Sequence, residues 1–167
     1  MINITPYEAE LKKQVSYDPF TGVLTRISKP FRSKAVLGPI KGSAKKEGHL
    51  RVTINGVEKY FHQIAWFLHY GYWTDKIIDH KDGDPTNNRI NNLREVTKIG
   101  NLHNQRKAHH HNKSGLLGAH YRADKKKFES AITTDGVKVR LGYFDTAEDA
   151  HQAYVQAKRI KHPTCTL

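Results

Sequence analysis

The stretch that most constrains the fold is KIIDHKDGDPTNNRINNLREVTKIGNLHNQRK, residues 76 to 107. The apolar pair Ile77-Ile78 opens it, a polar loop rich in Asn and Asp follows, and a second short strand is expected near Leu93 to Thr97. A helix comes next, with Thr97 as its N-cap. Two strands this brief cannot hold themselves. The chain has one cysteine, Cys165, which excludes a disulfide framework and a Cys-clamped zinc. The segment must therefore rely on packing by what precedes it.

What precedes it is patterned for that task. Residues 17 to 28, YDPFTGVLTRIS, read as a turn at Asp18-Pro19 and Gly22 leading into a short alternating strand. Lys34 to Gly48 is rich in Gly, Lys and Ser and reads as an irregular basic loop. His49 to Asn55 alternates Leu50, Val52 and Ile54 against Arg51 and Thr53; Asn55-Gly56 supplies a hairpin turn, and Val57 to Phe61 returns as the partner strand. Phe61, Ile64, Ala65 and Leu68 then fall at helical spacing, predicting a helix over about 60 to 70 that ends at Gly71.

Downstream, AHHHNKSG, residues 108 to 115, has no apolar periodicity and reads as a linker, with His109 to His111 as polar residues able to chelate metal. Three short strands are expected at about 118 to 122, 127 to 133 and 138 to 143, with an Asp135-Gly136 turn between the last two. Thr146 with Asp149 resembles a capping box, and Ala150, Ala153, Tyr154 and Ala157 form one narrow apolar face on the helix that follows.

Charge identifies the class of partner. The 167 residues hold 28 Lys plus Arg against 16 Asp plus Glu, a net charge of +12. Residues 1 to 74, 75 to 112 and 113 to 167 carry net charges of +6, +2 and +4, so the surplus is spread over folded-looking segments, as a long polyanion footprint requires. No apolar run is long enough to span a membrane, and MINITPYEAELKKQ lacks a signal-type apolar region, so a cytoplasmic, non-secreted protein is expected.

The least basic segment holds the tightest cluster of Asp, His and Asn. Phosphodiester hydrolysis needs a hard divalent ion and a base to activate water. Asp79 offers anionic oxygen at a strand end, His80 an imidazole suited to take a proton near neutral pH, and Asn101, 21 residues after His80, an amide oxygen on the expected helix. Adjacent strand residues point to opposite sides, so a twist or bend must bring Asp79 and His80 to one site.

DHKDGDPTNNRINNLREVT followed by Asn101 resembles the HNH homing endonucleases of phages and introns, in the ordered D-H, D-G, N-N and N-L-R elements over about residues 75 to 107. The resemblance implies the ββα-metal motif. It casts Asp79 and Asn101 as ligands of one divalent ion, Mg²⁺ or else Mn²⁺, with His103 a weaker alternative ligand and no structural zinc. It casts His80 as general base and Asn92 as the residue that ties the loop and orients His80. Arg94 and Lys98 would contact phosphate. His62-Gln63-Ile64-Ala65-Trp66 resembles the lead-in of these enzymes, with His62 and Trp66 as core or helix-surface residues outside catalysis.

Residues 115 to 163, most clearly LGYFDTAEDAHQAY, resemble the plant ethylene-response-factor (apetala-type) DNA-binding domain, which implies a three-stranded sheet in the major groove backed by a helix. On that resemblance His120, Arg122, Lys127, Glu129, Lys138 and Arg140 would face DNA, while Phe128 replaces the usual Trp.

The expected fold class is α+β: an N-terminal hairpin and helix leading into the ββα-metal motif, then a small three-stranded antiparallel sheet with one packed helix. The expected division is 1 to 48 a basic DNA-contacting region, 49 to 107 the nuclease domain, 108 to 115 a linker and 116 to 167 the second DNA-binding domain. The expected activity is metal-dependent, site-preferring cutting or nicking of double-stranded DNA, by a monomer or alternatively a dimer. A non-catalytic DNA-binding regulator is the rival reading. The intact Asp79, His80 and Asn101 set argues against it, since a scaffold needs none of them.

Overall fold

A computed structural model describes residues 5–30, 33–44, 48–162 and 164–167. The chain divides into two compact units, Met1–Val96 and Thr97–Leu167. The fold is mixed α and β, with small antiparallel sheets and few helices, as the sequence predicts.

The first unit begins with α1 (Pro6–Gln14), a helix absent from the sequence reading. Its signal is Thr5-Pro6-Tyr7-Glu8: the Thr5 hydroxyl accepts from the Glu8 N–H, the Glu8 carboxylate accepts from the Thr5 N–H, and Pro6 occupies the first turn, where no N–H is needed. β1 (Val15–Tyr17) and β2 (Leu24–Arg26) pair through the Asp18–Gly22 turn, and β3 (Gly38–Pro39) adds to β2. The loop expected over Lys34 to Gly48 thus contains two short strand segments, β3 and β4 (Ser43–Ala44); Lys45 to Glu47 of that stretch lie outside the described residues. Such two-residue segments carry no periodicity to read.

β4 joins the expected hairpin, β5 (Leu50–Ile54) with β6 (Val57–Tyr60), in the register Arg51 to Tyr60 and Ile54 to Val57. α2 (Phe61–Tyr70) follows and ends at Gly71, whose φ of 85° is the left-handed cap conformation that glycine adopts without a Cβ clash. This helix is apolar on more than one side. Phe61, Ile64 and Phe67 pack with Leu11, Val15, Leu24 and Ile54, whereas Ala65 and Trp66 pack with Ile78 and Leu93. α2 is therefore the wall that holds β7 (Ile77–His80) and β8 (Leu93–Val96) against the N-terminal sheets. Burial of apolar surface on both sides, at about 25 cal/mol per Å², stands in for the Cys-held zinc or disulfide clamp that a single cysteine cannot build.

The second unit begins with α3 (Lys98–His103), and Thr97 caps it by accepting from the Gly100 N–H. β9 (Ala119–Arg122), β10 (Lys127–Thr134) and β11 (Val137–Phe144) form an antiparallel sheet in the order β11-β10-β9, with a bulge between Ser130 and Ala131. α4 (Ala147–Lys161), capped by Thr146, packs Ala150 and Ala157 onto the sheet. Gly118, at φ 78°, lies under Tyr154, where a Cβ would come within 2.0 Å of the ring, so only glycine admits this approach. The end of α4 and the C-terminal residues also meet α3: the Lys158 ammonium reaches the Gln105 carbonyl, Thr164 donates to the Gly100 carbonyl, and His103 stacks on His162 at 3.9 Å.

Candidate active site

The site of the first unit is built at the paired ends of β7 and β8. Their register sets Asp79 opposite Arg94 and His80 opposite Leu93. Asp79 and His80 are both buried, at 9% and 4% exposure. The Asp79 Oδ2 accepts from Arg94 Nε at 2.9 Å and Nη2 at 2.8 Å. Arg94, expected to touch phosphate, is thus paired with the carboxylate beside the base.

His80 is held by a residue that the sequence reading did not single out. Its Nε2 lies 3.2 Å from Asn88 Oδ1, and Asn88, 3% exposed, donates through Nδ2 to the Thr86 carbonyl. With the amide nitrogen so engaged, Oδ1 is the acceptor and Nε2 the donor, which places the lone pair of the neutral ring on Nδ1. Burial pushes the His80 pKa below its ordinary 6.5, and the Asn88 bond and the carboxylates of Asp82, Asp79 and Asp84 only partly restore it. His80 is accordingly neutral at physiological pH, the state a proton acceptor needs. The signal for Asn88 was present as the second Asn of Asn87-Asn88, but either could have filled the role.

Asn92 ties the loop between the strands. Its Oδ1 accepts from the Asp82 N–H at 3.0 Å, and its Nδ2 donates to Asp82 Oδ1 and to the Asn87 carbonyl at 2.8 Å. Asp82 is held below the usual carboxylate range: burial raises it, and hydrogen bonds from the Asp84 backbone, Asn87 and Asn92 outweigh that. The loop is buttressed from outside by the Asp18–Gly22 turn. Tyr17 donates to the Asn88 carbonyl at 2.7 Å, Arg89 Nε to the Phe20 carbonyl at 3.0 Å, and the Ile90 N–H to the Pro19 carbonyl at 3.1 Å.

Two further imidazoles close on His80. His49, just before β5, and His62, in the first turn of α2, have ring centroids 5.4 and 5.3 Å from His80 and 5.1 Å from each other. Tyr60 lies flat on His62 at 5.3 Å. Burial, then the neighbouring His80 and His49, drives the His62 pKa down to about 3.

The other residues named from sequence lie in the second unit. Asn101 and Lys98 are exposed on α3, and His103 is stacked against His162. The pairings of Glu129 with His120, Lys127 with Arg122, Ala131 with Arg140 and Thr133 with Lys138 set His120, Arg122, Lys127, Glu129, Lys138 and Arg140 on one face of the sheet. Glu129 is 3% exposed and gathers Arg122 at 3.0 Å, Arg140 at 3.2 Å and Lys138 at 3.6 Å. Burial raises its pKa, but these three cations outweigh that and hold it in the ionised form.

As for donor chemistry, Asp79 and Asn101 offer hard oxygens, which suit Mg²⁺ or Mn²⁺, whereas imidazoles suit softer ions. An ionised carboxylate has about four lone-pair sites, so the Arg94 pair does not exhaust Asp79 as a ligand.

Residues 59–103 match the family model described as HNH endonuclease, a match that begins in β6 and ends with α3. No curated protein matches the chain. A solved structure described as DNA binding and cleavage by the HNH homing endonuclease I-HmuI is similar to it, with 21% identity and a TM-score of 0.42 over 96% of this chain and 92% of that one. Asp79, His80, Asn92 and Asn101 all lie inside the segment, residues 59–103, that matches the HNH endonuclease model.

Proposed function

We propose that the protein is a metal-dependent, site-preferring DNA endonuclease of the homing type. The observation that carries this reading is the Asp79-His80 pair at the end of β7, with His80 buried, neutral and oriented by Asn88, inside the HNH-matched segment. Asp79 and Asn101 would hold one divalent ion, Mg²⁺ or Mn²⁺, which when bound supplies charge neutralisation at the scissile phosphate and the leaving oxygen. His80 takes the proton of the attacking water as the water oxygen bonds to phosphorus and the bond from phosphorus to the leaving oxygen breaks. Asn88 keeps the ring in the tautomer whose lone pair is on Nδ1. Asn92 fixes the loop that carries Asn88, so both act as positioning residues.

The sheet face of the second unit is the proposed DNA-holding surface, in the manner of the ethylene-response-factor domains that its sequence resembles. Glu129 does not itself need to touch DNA; it holds the Arg122 and Arg140 side chains so that their remaining N–H groups stay spread over the face. Lys125 and Arg140 lie over the Tyr143 ring at 5.2 and 5.3 Å, adding further cations beside it. The basic stretches before residue 49 would contact the flanking duplex. One ββα segment per chain supports nicking by a monomer, with double-strand cutting left to a dimer or to two events.

The test is DNA affinity measured with Ca²⁺ and with chelator, alongside cleavage in Mg²⁺. Tighter binding with Ca²⁺ and Mg²⁺-dependent product are expected, because the carboxylates of Asp79, Asp82 and Asp84 around His80 are offset only in part by Arg94 and repel phosphate until a divalent ion joins them. Equal affinity in both conditions, with no product, would refute the metal-dependent nuclease and favour the non-catalytic regulator.

A further inference from the structure

The three imidazoles of His49, His62 and His80 each offer a ring nitrogen, and these atoms lie within 4.8 Å of one another. They come from three separate places in the chain: the residue before β5, the first turn of α2 and the end of β7. Gly48, at φ 86°, is pressed so closely on the Pro85 ring that a Cβ would come within 2.8 Å of it, and this approach sets His49 beside the loop after β7. Tyr60 holds His62 from behind. Among the described residues this is the one grouping of three or more His, Cys, Asp or Glu ligands, and Asp79 is not part of it.

We infer that His49, His62 and His80 form a binding site for a borderline-soft divalent ion of the Zn²⁺ class, and that its occupation switches the nuclease off by capturing the general base. Tetrahedral Zn²⁺ takes imidazole nitrogens at about 2.0–2.1 Å, which sets them about 3.3 Å apart. The widest pair here has to close by no more than about 1.5 Å, within reach of side-chain rotation. A site of nitrogen donors alone discriminates against Mg²⁺, so the activating and inhibiting ions are sorted by ligand type. An imidazole whose lone pair is given to a cation cannot accept a proton from water. The inhibitory consequence rests on the proposed role of His80, whereas the binding does not.

The experiment uses the full chain, metal-free, titrated with Co²⁺ and then Zn²⁺. Visible absorption of tetrahedral Co²⁺ is expected to saturate at one equivalent and to be bleached by Zn²⁺. His49→Gln and His62→Gln should each weaken uptake by roughly 100-fold, since a direct ligand should cost at least as much as the outer-sphere partners of metal ligands do. His49 is only half-buried, so His49→Gln decides the matter if His62→Gln misfolds. His110→Gln, in the His109 to His111 run of the second unit, should leave uptake intact. In Mg²⁺, one equivalent of Zn²⁺ should suppress DNA cleavage by the unaltered chain at least about ten-fold. The same Zn²⁺ should not change whatever rate the His49→Gln chain has. No uptake, or uptake unaffected by His49→Gln, would overturn the site. Uptake without suppression would overturn the switch, and absence of cleavage in every sample would refute the nuclease reading while leaving the binding result to stand.

Discussion

Asp79 and Arg94 face each other across the β7–β8 ladder, and the guanidinium donates through both Nε and Nη2 to the one oxygen Oδ2. A carboxylate so placed is already neutralised in part before any metal ion arrives. Arg94→Ala should therefore destabilise the metal-free protein by about 1–3 kcal/mol, the cost of leaving a largely buried acceptor without its charged donor. In Mg²⁺ the loss should shrink, because the ion takes over the charge of Asp79. Urea unfolding of both proteins, with chelator and with Mg²⁺, checks this; an equal loss in both would argue against Asp79 as a ligand.

The bond between His80 and Asn88 predicts a kinetic signature that packing alone would not produce. Asn88→Ala should slow cleavage by about 10- to 100-fold, in the range that outer-sphere orienting groups are worth, with DNA affinity unaltered. Asn88→Asp puts an anion beside the imidazole and raises its pKa, so the acid limb of the rate profile should move to higher pH. In the unaltered chain that limb lies below pH 6.5, since burial lowers the His80 pKa. Single-turnover rates across pH give both readouts, and an unmoved limb in Asn88→Asp would remove Asn88 from the account.

His62 couples stability to pH. Unfolded, it binds a proton near pH 6.5; folded, it does not until about 3, so folding excludes a proton throughout that window. The contribution is fully present above pH 6.5 and is lost as pH falls toward 3, at up to about 1.4 kcal/mol per pH unit. His62→Phe should flatten the fall in stability between pH 6.5 and 4. Parallel curves for the two proteins would contradict the burial of a neutral imidazole.

Gly22 sits where the N-terminal turn meets the loop that carries Asn88. At φ 77° an added Cβ would come within 2.7 Å of the Arg89 backbone nitrogen and 2.8 Å of the Asn88 carbonyl carbon. Gly22→Ala should cost about 1–3 kcal/mol through backbone strain and displacement of that loop. Denaturation with parallel cleavage assays should find both properties reduced, and stability retained in full would mean that the turn does not bear on the site.

Much of this was legible before any coordinates. The hairpin at Asn55-Gly56, α2 with its Gly71 cap, β7, β8 and the three C-terminal strands all follow from periodicity and turn chemistry, which are local properties. Asp79 and His80 stood out as a carboxylate and an imidazole at the end of a short strand, and Asn92 through the resemblance of the segment to the HNH homing endonucleases. What stayed hidden depends on tertiary proximity. His49 and His62 lie 31 and 18 residues before His80, in elements that each looked complete without them. Asn88 could not be told from Asn87 without knowing which side of the loop faces the ring. The role of Arg94 turned on strand register, and that of Glu129 on its burial beneath three cations. α1 was readable from Thr5 and Glu8 but carries too little apolar periodicity to announce itself.

The most direct measurement compares the unaltered chain with His80→Ala on supercoiled plasmid in Mg²⁺, with DNA binding quantified for each. The account predicts relaxed or linear product from the unaltered chain, and from His80→Ala equal binding with product formed at least about 100-fold more slowly, the range that general-base catalysis supplies. Undiminished cutting by His80→Ala, or no product from the unaltered chain at any site, would contradict it.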